Sequence, residues 1–312
     1  MPQRPPSWKK ITDERRKENF VGRGDQIRTF QNNFASDIPS YMLFSLTGEG
    51  GVGKSTLLKR LSQIAQEKDI GANVVLCDDR QGSPVEVMSS VAEQLAKHGF
   101  VHNGFNERYK KYRDMRQQIE SDPNAPRSVL DAIGHGVTEL ALAGLQTIPV
   151  VGAFASKVDS KAARNVVVDL MQYTAARWTN RDDIQLVREP EKVLSPLFVE
   201  LLDTATQSQR LVIMLDVFER TGRLLSPWLL ALFNSEYGAL SGWLTFVISG
   251  RDVLEQHWTD QAGSICHIRL EPFTEDETRL YLSNQGIVDD QLVRQIHIDT
   301  GGLPVLVELL AG

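Results

Sequence analysis

The 312-residue sequence has few cysteines, no excess of positive charge and no long apolar run. Its two cysteines, Cys77 and Cys266, lie inside apolar segments, so we expect small core residues rather than redox or metal groups. The formal net charge of −6 argues against a general polyanion binder. The six histidines have no metal-ligand spacing, and the polar N-terminus carries no secretory signal. These features predict a globular protein of the cytoplasm.

One uncharged stretch, residues 140–155, needs a separate explanation. It is shorter than the roughly 20 residues that a membrane-spanning helix requires. Pro149 and Gly152 also interrupt it. We therefore expect a buried or interfacial segment and no membrane span.

A glycine-rich loop stands between an apolar run that ends at Thr47 and a helical pattern that opens with Lys54. This is the order of strand, loop and helix that a phosphate-cradling P-loop requires. The glycines let backbone N–H groups turn toward an anion, and the helix N-terminus adds its positive dipole end. Lys54 should reach the β- and γ-phosphates, and the Ser55 hydroxyl should ligate Mg²⁺. The residues predicted to contact ATP or ADP here are Gly48, Glu49, Gly50, Gly51, Val52, Gly53, Lys54, Ser55 and Thr56.

An acidic pair follows a second apolar run, residues 211–215. Asp216 directly ends that run, where a carboxylate can hold Mg²⁺ through water opposite Ser55. Glu219 lies three residues further on and could orient or deprotonate the attacking water. Asp78 and Asp79 also end a strand pattern and compete for the metal role. The sequence thus predicts hydrolysis as well as binding.

Arg251 comes just after another strand pattern and is our candidate sensor of the terminal phosphate. Ser249 is a neighbouring candidate for the same task. The alternative is an exposed arginine paired with Asp252. Both interpretations stay open at this point.

The predicted fold is α/β, because strand and helix patterns alternate. Five strand patterns occur, at residues 41–47, 73–79, 210–216, 243–249 and 266–270. Residues 100–209 carry helical patterns only, and we interpret them as a helical insertion. One helix there is expected to start with Ser195 as N-cap and Pro196 in its first turn, and to run to Thr206.

The predicted organisation has three parts. Residues 1–19 form an N-terminal arm, residues 20–272 form the nucleotide-binding domain with the insertion at 100–209, and residues 273–312 begin a helical lid. Since the helical pattern is still running at Gly312, we expect the lid to be truncated.

Taken together, these motifs resemble the STAND class of signal-transducing P-loop ATPases, which contains the NB-ARC and NACHT modules and is related to AAA+ proteins. Val21, Gly22 and Arg23 look like the upstream nucleotide-contacting motif of that class. Pro304, in Gly-Leu-Pro, looks like the lid proline that contacts the base or sugar. The resemblance implies a three-layer α/β/α domain whose parallel sheet has the strand order 5-1-4-3-2.

The resemblance also implies a nucleotide-controlled switch that is ADP-bound at rest and self-associates when ATP binds. A protein trigger would act through a sensing region beyond this chain. Val217 is a departure, since NB-ARC proteins often place a second acid there. Slow hydrolysis is therefore expected.

Two alternatives are left open. The first is an AAA+ ATPase acting on nucleic acid, such as an initiator or clamp-loader relative. Arg220 or Arg223 would then be the arginine finger that acts on the nucleotide of a neighbouring subunit. The negative net charge does not favour this alternative. The second is a nucleotide-stabilised scaffold without turnover.

Overall fold

The computed structural model describes residues 20–134, 160–251 and 263–311, together with residues 254 and 258. The predicted arm at residues 1–19 and the uncharged stretch at 140–155 lie outside the described residues. No helix in the described ranges combines the length and apolarity needed to cross a bilayer.

Five strands and twelve helices follow one another along these ranges. The strands are β1 (Leu43–Thr47), β2 (Asn73–Cys77), β3 (Leu211–Leu215), β4 (Leu244–Gly250) and β5 (Ile265–Arg269). The first helices are α1 (Gly24–Asn32), α2 (Lys54–Gln66), α3 (Pro84–Lys97), α4 (Asn103–Glu120), α5 (Arg127–Gly134) and α6 (Ser160–Arg177). The remaining helices are α7 (Arg181–Arg188), α8 (Pro190–Thr206), α9 (Phe218–Phe233), α10 (Glu275–Asn284), α11 (Asp290–Thr300) and α12 (Pro304–Ala311).

The five strands form one parallel sheet in the order β2-β3-β4-β1-β5, which confirms the predicted order 5-1-4-3-2. Every residue of β1, β3 and β4 is buried, as expected for central strands covered on both faces. Thr47, the last residue of β1, is in register with Gly250 of β4 and with Arg269 of β5. The loops after β1 and β4 therefore leave the sheet side by side.

Alternation along the strands divides the core into two layers, one on each face of the sheet. Phe246 and Ile248 of β4 join a cluster with α3, α8 and α9, which contains the fully buried Trp228. Val247 points the other way, into a cluster with Phe30 of α1 and residues of α2. The chain is thus a three-layer α/β/α domain.

Helices α4 to α8 lie in the region interpreted as an insertion. The predicted start of its last helix at Ser195 is wrong, because α8 begins at Pro190. Proline in the first turn marks that earlier start, and Glu189 takes the N-cap position. Ser195 is fully buried inside the helix, where its hydroxyl oxygen accepts a hydrogen bond of 2.9 Å from Trp228 Nε1.

Two other helices differ from the patterns in the sequence. The apolar pattern of the sequence predicts a helix around residues 228–233, but α9 begins ten residues earlier, at Phe218. Gly222 and Pro227 interrupt its helical pattern, and burial of its apolar face overrides their low propensity. Helix α7, which the patterns did not predict, is short and is capped by Asn180, whose side chain accepts from two backbone N–H groups.

Helices α10 to α12 pack around a small core of their own, made of Leu282, Val293, Ile296 and Val307. A capping box opens α10, since Thr274 and Glu277 each accept a hydrogen bond from the other's backbone N–H. We call α10, α11 and α12 the lid.

Candidate nucleotide site

A cleft of about 370 Å³ lies at the carboxyl ends of β1, β3 and β4. In parallel α/β sheets, ligands bind at this edge. The cleft is lined by Gly50, Gly51, Gly53, Lys54, Ser55, Thr56, Asp216, Val217, Glu219, Ser249, Arg251, Pro304, Val305 and Glu308. Residues predicted from four separate motifs therefore meet in one place.

The glycine-rich loop joins β1 to α2 through left-handed backbone conformations. Gly51 has φ +84° and Gly53, the N-cap of α2, has φ +97°, values that cost other residues strain. The Lys54 ammonium bends back over the loop and donates to the carbonyl oxygens of Gly48 and Glu49, both at 2.8 Å. The lysine head therefore lies at the mouth of the loop, beside the start of α2.

Three other ionic groups of the cleft act on the charge of Lys54. Burial lowers the pKa of the Lys54 ammonium, and the nearby Arg251 acts in the same direction. Glu219 and Asp216 oppose that shift. The loop and the ends of β3 and β4 therefore carry charged groups that act on one another within a single site.

Asp216 follows β3 and is held by two donors. Ser249 Oγ donates to Asp216 Oδ1 at 2.6 Å, and the Val217 N–H donates to the same oxygen at 2.9 Å. Among the described residues, both hydrogen bonds to this carboxylate are accepted by Oδ1. The second carboxylate oxygen is thus left for other ligands.

Glu219 lies in the first turn of α9, close against the end of β4. Its side chain is only 19% exposed, and its Oε2 atom is buried without a hydrogen-bond partner in the described structure. A Cβ on Gly250 would come within 3.5 Å of that oxygen, so the glycine leaves room for the carboxylate. Because buried polar atoms are normally paired, this acceptor points to a donor that enters with a ligand or water.

Arg251 extends into the cleft from the end of β4. Its Nε atom lies 3.6 Å from Glu219 Oε1, while its side chain is 66% exposed. Because the guanidinium is largely in water, this long contact contributes little to folding. The guanidinium is therefore free to exchange that carboxylate for an anion.

The upstream turn lies outside the lining of the cleft. Val21 is buried, and Gly22 packs so closely under Glu277 of the lid that a Cβ would collide with its carboxylate. Arg23 Nη2 donates to the carbonyl oxygens of Val52, at 3.2 Å, and Glu271, at 2.6 Å. Burial lowers the pKa of Arg23. This turn ties the loop to the lid, and its contact with nucleotide stays a prediction.

The lid reaches the loop directly. The Val305 N–H donates to the Gly51 carbonyl at 3.2 Å, and a Cβ on Gly51 would collide with the Val305 side chain. Pro304 lines the cleft, and so does Glu308 one turn later. Contact of Pro304 with a base or sugar stays a prediction. Sequence reasoning missed Val305 and Glu308. The four-residue spacing from Pro304 to Glu308, which places both on one helix face, was the available signal.

Several weaker candidates lie elsewhere. Asp78 forms an ion pair with Arg80, whose hydrogen bond lowers the pKa of the aspartate. Asp79 pairs with Arg220. None of these four residues lines the cleft. The side chain of Arg223, the other suggested finger residue, lies outside the described part of the chain.

Cys77, which ends β2, fits its expected core role. Its side chain is buried and donates to Ser90 Oγ at 3.7 Å. Burial raises the pKa of the Cys77 thiol to about 11. The thiol therefore stays protonated at neutral pH, which disfavours redox chemistry.

Comparison with known proteins identifies a family and a similar solved structure. A family model described as "AAA ATPase domain" matches residues 19–235. No curated protein matches the sequence. Among solved structures, the crystal structure of Cdc6p from Pyrobaculum aerophilum is similar at 13% sequence identity and a TM-score of 0.49. That match covers 96% of this chain, which spans 64% of the length of the Cdc6p structure.

Proposed function

Since the chain belongs to the AAA ATPase domain family, we propose that it is an ATP-binding, slowly hydrolysing switch that couples nucleotide state to the position of its lid. The observation that carries this proposal is the contact between Val305 of the lid and Gly51 of the P-loop. A nucleotide in the cleft touches both, because Pro304 and Glu308 share the cleft with Lys54. The protein is ADP-bound at rest and self-associates when ATP binds.

The oxygen atoms of Ser55 and Asp216 suit a magnesium ion, which prefers hydroxyl and carboxylate ligands. Ser249 and Val217 hold Asp216 in place. In the described part of the chain, no group of three His, Cys, Asp or Glu side chains could hold a metal on its own. The other ligands of a bound Mg²⁺ are then phosphate oxygens and water. When bound, the metal neutralises charge that develops on the phosphates.

Glu219 is the group that handles the attacking water. Its unpaired Oε2 accepts a hydrogen bond from that water and aims its oxygen at the terminal phosphate. Arg251, which approaches Glu219 from the end of β4, shifts from the carboxylate to the phosphate when ATP binds. Lys54 contacts the same phosphate from the loop.

The first test is nucleotide binding, measured as thermal stabilisation by Mg-ATP and Mg-ADP. A ligand at 100 times its Kd stabilises by about 2.7 kcal/mol, which gives a clear shift in Tm. Lys54→Ala should abolish the shift, while Lys59→Ala, an exposed lysine in the same helix, should keep it. Unchanged nucleotide binding by Lys54→Ala would contradict the proposal that the P-loop binds ATP.

The second test is hydrolysis. Glu219→Gln should lower turnover by about 10²- to 10⁴-fold, the usual contribution of a general base, and leave nucleotide affinity unchanged. Glu236→Gln, an exposed site after α9, is the matched control and should hydrolyse at the wild-type rate. If Glu219→Gln changed neither the co-purifying nucleotide nor the assembly state, the scaffold alternative would be favoured.

Assembly distinguishes the switch from an enzyme that acts on nucleic acid. Light scattering should show a larger mass for Glu219→Gln with Mg-ATP than with Mg-ADP. Binding to DNA that is strengthened by ATP and falls steeply with salt would support the nucleic-acid alternative instead.

A further inference from the structure

Glu308 brings a negative charge from the lid into the nucleotide cleft. It lies one turn after Pro304 in α12, and residues four apart share one face of a helix. The start of that helix is held against the P-loop by the hydrogen bond from Val305 to Gly51. The position of Glu308 in the cleft therefore depends on the lid being docked.

The other ionic groups of the cleft already have tasks in the proposed mechanism. Lys54 and Arg251 serve the phosphates, Asp216 the metal and Glu219 the water. Glu308 is the third carboxylate against two cations, and it alone belongs to the lid. Its side chain forms no ion pair with the described residues. Burial raises the pKa of the Tyr281 phenol in α10, and the charge of Glu308 adds to that shift. No cation of the lid neutralises it within the cleft.

We propose that Glu308 makes the docked lid selective for a nucleoside diphosphate over a triphosphate. The carboxylate of Glu308 already lies in the cleft, and a γ-phosphate adds further negative charge there. The repulsion weakens the contact between α12 and the P-loop, so that ATP favours an undocked lid and ADP a docked one. This assignment rests on the proposed nucleotide site and names the residue that makes the two nucleotide states differ.

The solvent exposure of Glu308 limits how much its charge can change the relative affinity for ATP and ADP. Glu308 is exposed, so water and salt weaken its repulsion. For a partly screened pair of like charges near a protein surface, we expect about a three- to tenfold change in relative affinity. The effect should shrink as ionic strength rises.

The test compares the dissociation constants of Mg-ATP and Mg-ADP for wild type, Glu308→Gln and Asp299→Asn. Asp299 is an exposed carboxylate of the lid outside the cleft, so its neutralisation changes net charge equally. Glu308→Gln should shift the ratio about three- to tenfold toward ATP at low salt. Asp299→Asn should leave the ratio unchanged.

Hydrogen exchange of the Val305 amide supplies an independent readout, since this N–H pairs with Gly51 only when the lid is docked. In wild type, protection there should be about three- to tenfold lower with Mg-ATP than with Mg-ADP, and Glu308→Gln should reduce that difference. An unchanged affinity ratio would overturn the proposal. An equal loss of affinity for both nucleotides would also overturn it and make Glu308 a ligand of the base or ribose. Neither result would affect the nucleotide site, which fails only if Lys54→Ala still binds.

Discussion

Val217 turns the chain from β3 into α9 with φ +57°, a left-handed conformation that is unusual for a β-branched residue. This turn points the Val217 N–H at Asp216 Oδ1 and brings Glu219 to the end of β4. Strained residues of this kind persist only where the surrounding structure holds them. The strained turn at Val217 therefore positions the carboxylates of both Asp216 and Glu219.

The strain at Val217 predicts a stabilising substitution. Val217→Asn should raise the free energy of unfolding by about 1 kcal/mol, because asparagine tolerates the left-handed region. Val217→Ile keeps the β-branch and should stay within about 0.5 kcal/mol of wild type. Urea denaturation of both variants measures the difference. Equal stabilities would mean that packing around Val217 already offsets the strain.

At the scale of elements, α8 connects the helical region to the α/β core through one buried hydrogen bond. The Trp228 Nε1–H of α9 donates to Ser195 Oγ of α8, and the indole also packs against Phe198. Ser195 Oγ lies 3.7 Å from Met88 Sδ of α3, so three helices meet at this hydroxyl. A serine that could have capped a helix instead satisfies a tryptophan in the core.

Removal of that hydroxyl should therefore destabilise the protein. Ser195→Ala leaves the buried Trp228 N–H without its acceptor and should cost about 1–3 kcal/mol. Thr204→Ala, in the same helix, removes a hydroxyl that donates to the Glu200 carbonyl at the surface, and should cost under about 0.5 kcal/mol. Thermal unfolding compares the two. A similar loss from both would show that the bond to Trp228 adds nothing.

At the scale of the whole molecule, the lid is attached to the core by close backbone approaches. Gly302 packs against the chain that enters the lid, where its carbonyl accepts from the Phe273 N–H at 2.8 Å. A Cβ on Gly302 would collide with the Phe273 carbonyl oxygen. The other attachments are made by Gly51, which contacts Val305, and by Gly22, which packs against Glu277. Because the lid contacts the P-loop directly, a movement of one can displace the other without an intermediate element.

The paired glycines before α12 allow this attachment to be tested. Both have positive φ, +58° for Gly301 and +71° for Gly302, but a Cβ on Gly301 meets no atom within 4 Å. Gly301→Ala should cost about 1–2 kcal/mol from backbone strain alone. Gly302→Ala should cost about 1–3 kcal/mol more because of the added collision. It should also weaken Mg-ADP binding.

Urea denaturation and isothermal titration with Mg-ADP measure these two effects. If the two alanine variants matched in stability and affinity, close approach at Gly302 would not hold the lid in place.

Much of the fold was predictable because its signals are local. The apolar runs of β1, β3 and β4 are contiguous and buried on both faces, and the P-loop joins a strand to a helix within a few residues. The helical region was harder to predict, since Pro190 and Pro196 both suit the first turn of a helix. Burial of Ser195 against Trp228 shows that Pro196 lies inside α8. Interior prolines and glycines likewise concealed the length of α9.

The amino-acid sequence predicts the sheet, its strand order through the resemblance, and the loop that identifies a phosphate site. Which distant side chains complete that site depends on how the elements pack. Ser249 holds Asp216 because β3 and β4 are neighbours, and the unpaired oxygen of Glu219 lies against Gly250 for the same reason. Glu308 enters the cleft because α12 docks on Gly51. Periodicity along the chain reports which face a residue lies on, whereas these contacts depend on how separate elements pack together.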